Sequence, residues 1–299
     1  MSVPFDVVFL GTGAPLNNPD RCGCGQVIVA GDTQVMVDCG WGSARRIVPA
    51  GLRPPEIGIA VFTHMHSDHI TDFPDFIFQR WTGGATTPLR IFGPPGTKET
   101  MEGFMAALRL DIGFRLAHHG DKLHPEGAKI EVTEIPATAW PNQFHVAGDL
   151  VLESFEVDHF PVVPALGFRF RADGRTAVLS GDTSLCDSLV GAAEGADLFV
   201  CEAMNQPMMT QLISMLEAMG RKREAGMMSD VPDYHISTTQ VAEVARRSGV
   251  GELVLTHIIP PVPNDTAREA DFMAGMAEIY GGPIRMARDT QRIAVGKKP

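Results

Sequence analysis

Residues 62–70 read FTHMHSDHI, placing three histidines and an aspartate within six positions. They follow directly on the apolar run IGIAVF (57–62), which reads as a buried strand. A strand that ends in a cluster of imidazoles and a carboxylate constrains the fold more than any other stretch. It is either a polar loop or half of a metal site. In the second case it needs a rigid frame, because zinc-type ions take neutral imidazole nitrogens and carboxylate oxygens held in fixed geometry. His64, His66, Asp68 and His69 sit where the chain turns from sheet to helix, and Asp68 and His69 are expected to start that helix.

The other half of a site has to come from elsewhere. His159 follows the alternating run LVLESFEVD, Asp182 follows RTAVLSG, and His257 follows LVLT. Each ends a strand-like segment with one ligand-type residue, as a site on the rim of a sheet requires. His118, His119, His124 and His145 have no neighbours that complete a ligand set, and they read as surface or structural residues. The five cysteines are too few and too odd in number for a disulfide framework. Cys22 and Cys24 would need two further thiolates to hold zinc.

Strands are expected over 5–10, 26–30, 33–40, 57–63, 89–94, 129–135, 150–159, 165–172, 175–182, 198–203 and 253–257, with a final strand pair over 283–295. Helices are expected over 42–51, 72–81, 97–110, 208–220, 238–247 and 267–280, and a short one before 198. No Pro/Gly/Ser linker separates the two β-rich regions. The order fits an α/β (α+β) chain of two mixed sheets with helices on both outer faces, folded as one unit over 1–299.

The formal net charge of −11 argues against nucleic acid as a partner, since such proteins neutralise phosphates with basic side chains. The start, MSVPFDVVFLGTG, has neither a basic nor a long apolar region, and no stretch approaches the length of a membrane span. The reading is a soluble, cytoplasmic protein with no membrane partner.

The motifs THMHSDH, DH before ALGFRF, SGDT and LTH, with the opening LGTGAP and NPDRCGCGQVIVAGDTQVMVDCG, resemble the metallo-β-lactamase-fold hydrolases. Within that superfamily the chain looks like the branch holding tRNase Z, arylsulfatases and phosphodiesterases, over residues 5 to about 260. The resemblance implies a four-layer αββα sandwich and two metal ions, two Zn2+ with Fe or Mn as alternatives. His64, His66 and His159 would hold one, Asp68, His69 and His257 the other, and Asp182 would bridge them. A hydroxide shared by the two ions would be the nucleophile, with Asp68 also accepting a proton. His235 precedes a capping-box signature, Ser237 to Gln240, and the resemblance makes it a general acid or transition-state stabiliser, oriented by Asp233 or Glu202, with a structural loop histidine as the alternative.

Many tRNA-processing members of the branch carry a long arm between the third histidine and the bridging aspartate. Here only 23 positions separate His159 from Asp182. The expected substrate is therefore a small ester: an aryl sulfate, phosphodiester, lactone or carboxylic ester. The alternative is a tRNA 3′-processing endonuclease, and a non-catalytic metal-binding protein is a third reading. Residues 204–228 are rich in methionine, with Met208, Leu212, Leu216 and Met219 expected on one helical face. They are a core element, a contact in a homodimer, or part of a helical lid over 204–235. Phe73, Phe76, Phe78 and Trp81 read as core, with an apolar wall beside the metals as the alternative.

Overall fold

The computed structural model describes residues 3–136 and 142–297. Two seven-stranded sheets organise them. The first is drawn from β1 (Phe5–Gly11), β2 (Gly25–Ala30), β3 (Thr33–Val37), β4 (Ile59–Val61), β5 (Leu89–Gly93) and β6 (Ile130–Glu134). The second takes β7 (Asn142–Ala147), β8 (Leu150–His159), β9 (Val162–Ala172), β10 (Arg175–Leu179), β11 (Leu198–Met204), β12 (Glu252–Ile259) and β13 (Ile284–Met286). The last strand, β14 (Arg292–Ala294), returns to the first sheet beside β1. The expected terminal pair is thus divided: β13 lies on β12 and β14 on β1, so the C-terminal segment ties the two sheets together.

The sheets share one plan. In the first, β14, β1, β2 and β3 run antiparallel and β3 to β6 parallel. In the second, β7 to β10 run antiparallel and β10 to β13 parallel. Alternation along each strand decides the layers. Val7 and Phe9 join the core between the sheets, with Val35, Val37, Ile59 and Val61 facing Phe168, Phe170, Leu179, Val200 and Val254. Val8 and Leu10 point the other way, into the layer of α1 (Ser67–Ile70), α2 (Phe73–Thr82) and α3 (Thr97–His119). On the far side, α4 (Asp187–Ala193), α5 (Gln206–Ala218), α6 (Lys222–Asp230), α7 (Thr238–Ser248) and α8 (Thr266–Phe272) follow in order. Of these, α4, α7 and α8 pack on the outer face of the second sheet. The result is the expected αββα sandwich. Among the described residues, no helix is long and apolar enough to cross a membrane.

Some elements differ from the sequence reading. The helix expected over 42–51 is a 3-10 turn at Ala44–Arg46 followed by turns. The one expected over 267–280 stops at Phe272 and runs on through turns, with Gly275 at positive φ. By contrast α3 continues past 110 to His119, helped by an i, i+4 bond from Arg115 to Asp111 and by the Arg115 guanidinium stacking on Phe78. Phe73, Phe76 and Trp81 are core residues of the α2 layer and form no wall beside the histidines.

Candidate metal centre

Every sequence-expected ligand lies at a strand's C-terminal end or in the loop or helix that follows. His64 and His66 come after β4 and Asp68 and His69 in α1, whereas His159 ends β8, Asp182 follows β10 and His257 lies late in β12. Two backbone devices aim them. The pairing of β11 with β12 slips by one residue between Glu202 and Ala203, and His257 takes φ +46 there, a bulge that turns its ring toward the first sheet. Gly181 has φ +63 and a Cβ there would strike the Leu166 carbonyl, so only glycine lets the chain turn to present Asp182.

The side chains converge into two groups that share Asp182. His64, His66, His159 and Asp182 offer one ligand atom each, all within 4.8 Å of one another, and so do Asp68, His69, Asp182 and His257. His64 Nε2 lies 3.0 Å from His66 Nδ1, and His159 Nε2 lies 3.3 Å from that same atom. Asp182 Oδ2 sits 3.3 Å from both His69 Nε2 and His257 Nε2, and 3.9 Å and 4.0 Å from His64 and His159 Nε2. Asp68 Oδ2 is 3.2 Å from His257 Nε2. All but the exposed His66 are buried.

The residues behind this shell fix the tautomers. Asp38, at the end of β3, accepts from Thr63 N, Thr63 Oγ1 and His69 Nδ1, each at 2.8 Å. Thr63 Oγ1 also contacts His64 Nδ1 at 3.0 Å, and His159 Nδ1 donates to the Tyr234 carbonyl at 3.0 Å. His159, and His69 once its Nε2 proton leaves, therefore turn a lone pair on Nε2 into the centre. His69 Nε2 is fully buried yet has no hydrogen-bond partner, a costly state that a cation would relieve. Asp68, Asp182 and His257 each bring an oxygen or nitrogen donor within 4.8 Å of that atom, a set that suits a divalent transition ion.

Burial pushes the pKa of His64 well below 6.5, and it lowers His66 and His159 as well, so these rings are neutral. His69 goes the other way: burial opposes its charge, but Asp182, Asp68 and Asp38 outweigh that and hold it well above 6.5. Asp182 is buried too, yet His257, His69 and His64 keep its carboxyl well below the usual range.

Residues 33–258 match the family description β-lactamase superfamily domain. The chain belongs to the metallo-β-lactamase-fold superfamily. A protein named Ribonuclease Z from Mycobacterium bovis (strain BCG / Pasteur 1173P2) is 35% identical over 295 residues, covering 97% of this chain and 98% of that one. Among solved structures, the metallo-β-lactamase fold protein YhfI from Bacillus subtilis has a TM-score of 0.69 at 18% identity, covering 97% of this chain and 99% of its own. The short form of human tRNase Z has a TM-score of 0.67 at 21% identity, with the same coverages. The superfamily places this chain among hydrolases.

His235 lies beside the centre, its ring 5.5 Å from His257 and 5.3 Å from His159. Its Nδ1 meets Glu202 Oε2 at 2.7 Å, while Glu202 Oε1 accepts from Thr183 N at 2.6 Å. Of the two carboxylates expected to orient His235, Glu202 does so and Asp233 is exposed. Asp38 was not read from the sequence, although VDCG ends a strand in a carboxylate as the other ligand strands do. Cys24 comes near Asp38 and His69, but burial pushes its thiol far up and it accepts a hydrogen bond from Gln26, whereas Cys22 lies outside that group.

The cleft above the centre has a volume of about 350 Å³ and is lined by His66, Asp68, Asp182 and His235 together with Met209, Met227 and Met228. The methionine-rich segment is therefore partly core and partly cleft wall. Met209 and Leu216 are buried, whereas Met219, expected on the same face, is 63% exposed because it caps α5.

Proposed function

We propose that this chain is a metal-dependent phosphodiesterase that acts on RNA near a 3′ end. Its full-length relationship to a protein named Ribonuclease Z, 35% identical over 295 residues, is the observation that carries the RNA part. That relationship weighs against the expectation, drawn from the net charge, that nucleic acid is not a partner. The same comparison favours the tRNA 3′-processing reading over a small ester as the principal substrate.

In this reading His64, His66 and His159 would hold one ion and Asp68, His69 and His257 the other, with Asp182 available to both groups. The ions, zinc in the simplest case, would supply Lewis acidity and an acidified water. Asp68, at the cleft floor, takes the proton of the attacking water. Glu202 and His235 act together on the leaving oxygen. Glu202 Oε2, 2.7 Å from His235 Nδ1, fixes the imidazole so that its other nitrogen faces the cleft, and the His235–Glu202 pair gives one proton to the departing oxygen.

The test is cleavage of a precursor tRNA carrying a 3′ trailer, with mapping of the new ends, alongside p-nitrophenyl sulfate, a lactone and bis(p-nitrophenyl) phosphate. The expected result is a single metal-dependent cut in the precursor and turnover of the phosphodiester alone among the small esters. A second reading, a small-ester hydrolase, is favoured by one observation. The β8–β9 hairpin turns at once, His159 pairing with Val162, and β9 passes to β10 through Asp173 and Gly174, so no arm projects there. An intact precursor with brisk sulfate or lactone turnover would establish that second reading.

A further inference from the structure

The cleft has two kinds of lining: the ligand carboxylates with His66 and His235, and a soft apolar set that clusters together. Met209 on α5, Ile259 at the end of β12, and Ala14 after β1 form one buried cluster, against which Met228 and Val231 pack from α6 and the turn beyond it. Met227 stands at the mouth, 55% exposed. Tyr234 lines the same space, its ring 4.8 Å from that of His235 and 5.5 Å from that of His159. Among the described residues that line the cleft there is no lysine or arginine.

Three physical points limit what such a cleft takes. Its volume is near the lower end of the range for small-molecule sites, which admits one nucleotide-sized group and not a paired helix. Thioethers contact aromatic faces favourably and adapt to their shape. With no cationic side chain present, the wall itself offers nothing to a phosphate, so its contribution is to an uncharged planar group beside the scissile bond.

We propose that Met209, Met227, Met228 and Tyr234 form a nucleobase pocket that seats one unpaired base next to the bond being cut. The proposal rests on the phosphodiesterase reading and specifies where its substrate specificity resides. The segment 204–235 then serves as the pocket wall rather than as a detached lid.

The experiment compares adenosine 5′-monophosphate with ribose 5-phosphate as ligands of the Zn2+-loaded protein, by calorimetry. The two share the phosphate and the sugar and differ only in the base. Tighter binding of the nucleotide, on the order of tenfold, is expected from stacking and sulfur–aromatic contact. The doubly substituted M227S/M228S protein should lose most of that ratio, and Met215→Ser, on an exposed position of α5 outside the cleft, should keep it. Equal affinities for the two ligands, or a ratio untouched in M227S/M228S, would overturn the pocket. An absence of phosphodiester cleavage with the affinity ratio intact would instead overturn the functional reading alone, so the two failures are distinguishable.

Discussion

Asp38→Asn isolates the support behind the centre from the centre itself. The residue is 1% exposed, and its carboxylate receives three hydrogen bonds of 2.8 Å. The amide keeps one oxygen, which can still accept from Thr63 N. It turns an NH2 group on the Thr63 hydroxyl and on His69 Nδ1. The hydroxyl can rotate and accept, but His69 can accept at Nδ1 only by carrying its proton on Nε2, the atom 3.3 Å from Asp182. That tautomer cannot ligate. Losing a buried hydrogen bond to a charged group costs about 1.5–3 kcal/mol. Losing the outer partner of a ligating histidine typically weakens metal affinity by about 10–100-fold. The assay is zinc affinity by competition with a chromophoric chelator, with metal content after dialysis as a second readout. Asp38→Asn should bind zinc about 10–100-fold more weakly while circular dichroism stays native. Wild-type affinity in a folded variant would refute the tautomer argument.

Further outcomes follow from the same geometry. His66→Ala should lower phosphodiester turnover by several orders of magnitude and reduce bound metal, since His66 Nδ1 sits between two other ligand nitrogens; turnover and metal content can be measured on one preparation. Glu202→Gln and His235→Ala should each cut turnover by about 10²-fold or more with metal retained, and the double variant should be little worse than either, because the two act as one unit. Acidification should empty the two groups unequally. The pKa values of His64, His66 and His159 are lowered, so these rings remain neutral as pH falls below the ordinary histidine range. That of His69 is raised, so a proton competes for it already near neutrality. Metal titrations between about pH 7 and pH 5.5 should therefore show the Asp68–His69–His257 group losing its ion first.

Much of the centre was legible because each ligand ends an apolar strand, and a polar residue at such a point has few other places to go. His64, His66, Asp68, His69, His159, Asp182 and His257 lie together in two groups that share Asp182. What the sequence hid depends on local geometry. Asp38 looks like an ordinary strand terminus until Thr63 and His69 are seen to surround it. Glu202 and Asp233 were equal candidates for orienting His235, and only the parallel pairing of β11 with β12 brings Glu202 beside it. The edge strand β7, NQFHVA, alternates too weakly to announce itself, and α6, KREAGMMSD, is short and highly charged. Met219 matched the helical period but fell one residue beyond the end of α5.

Diffraction from crystals of the zinc-loaded protein, with anomalous differences recorded at the zinc edge, tests the central claim most directly. Two peaks are predicted, one among His64, His66 and His159 and one among Asp68, His69 and His257, with Asp182 touching both. No peak at these positions, or zinc bound only at a distant group, would contradict the account.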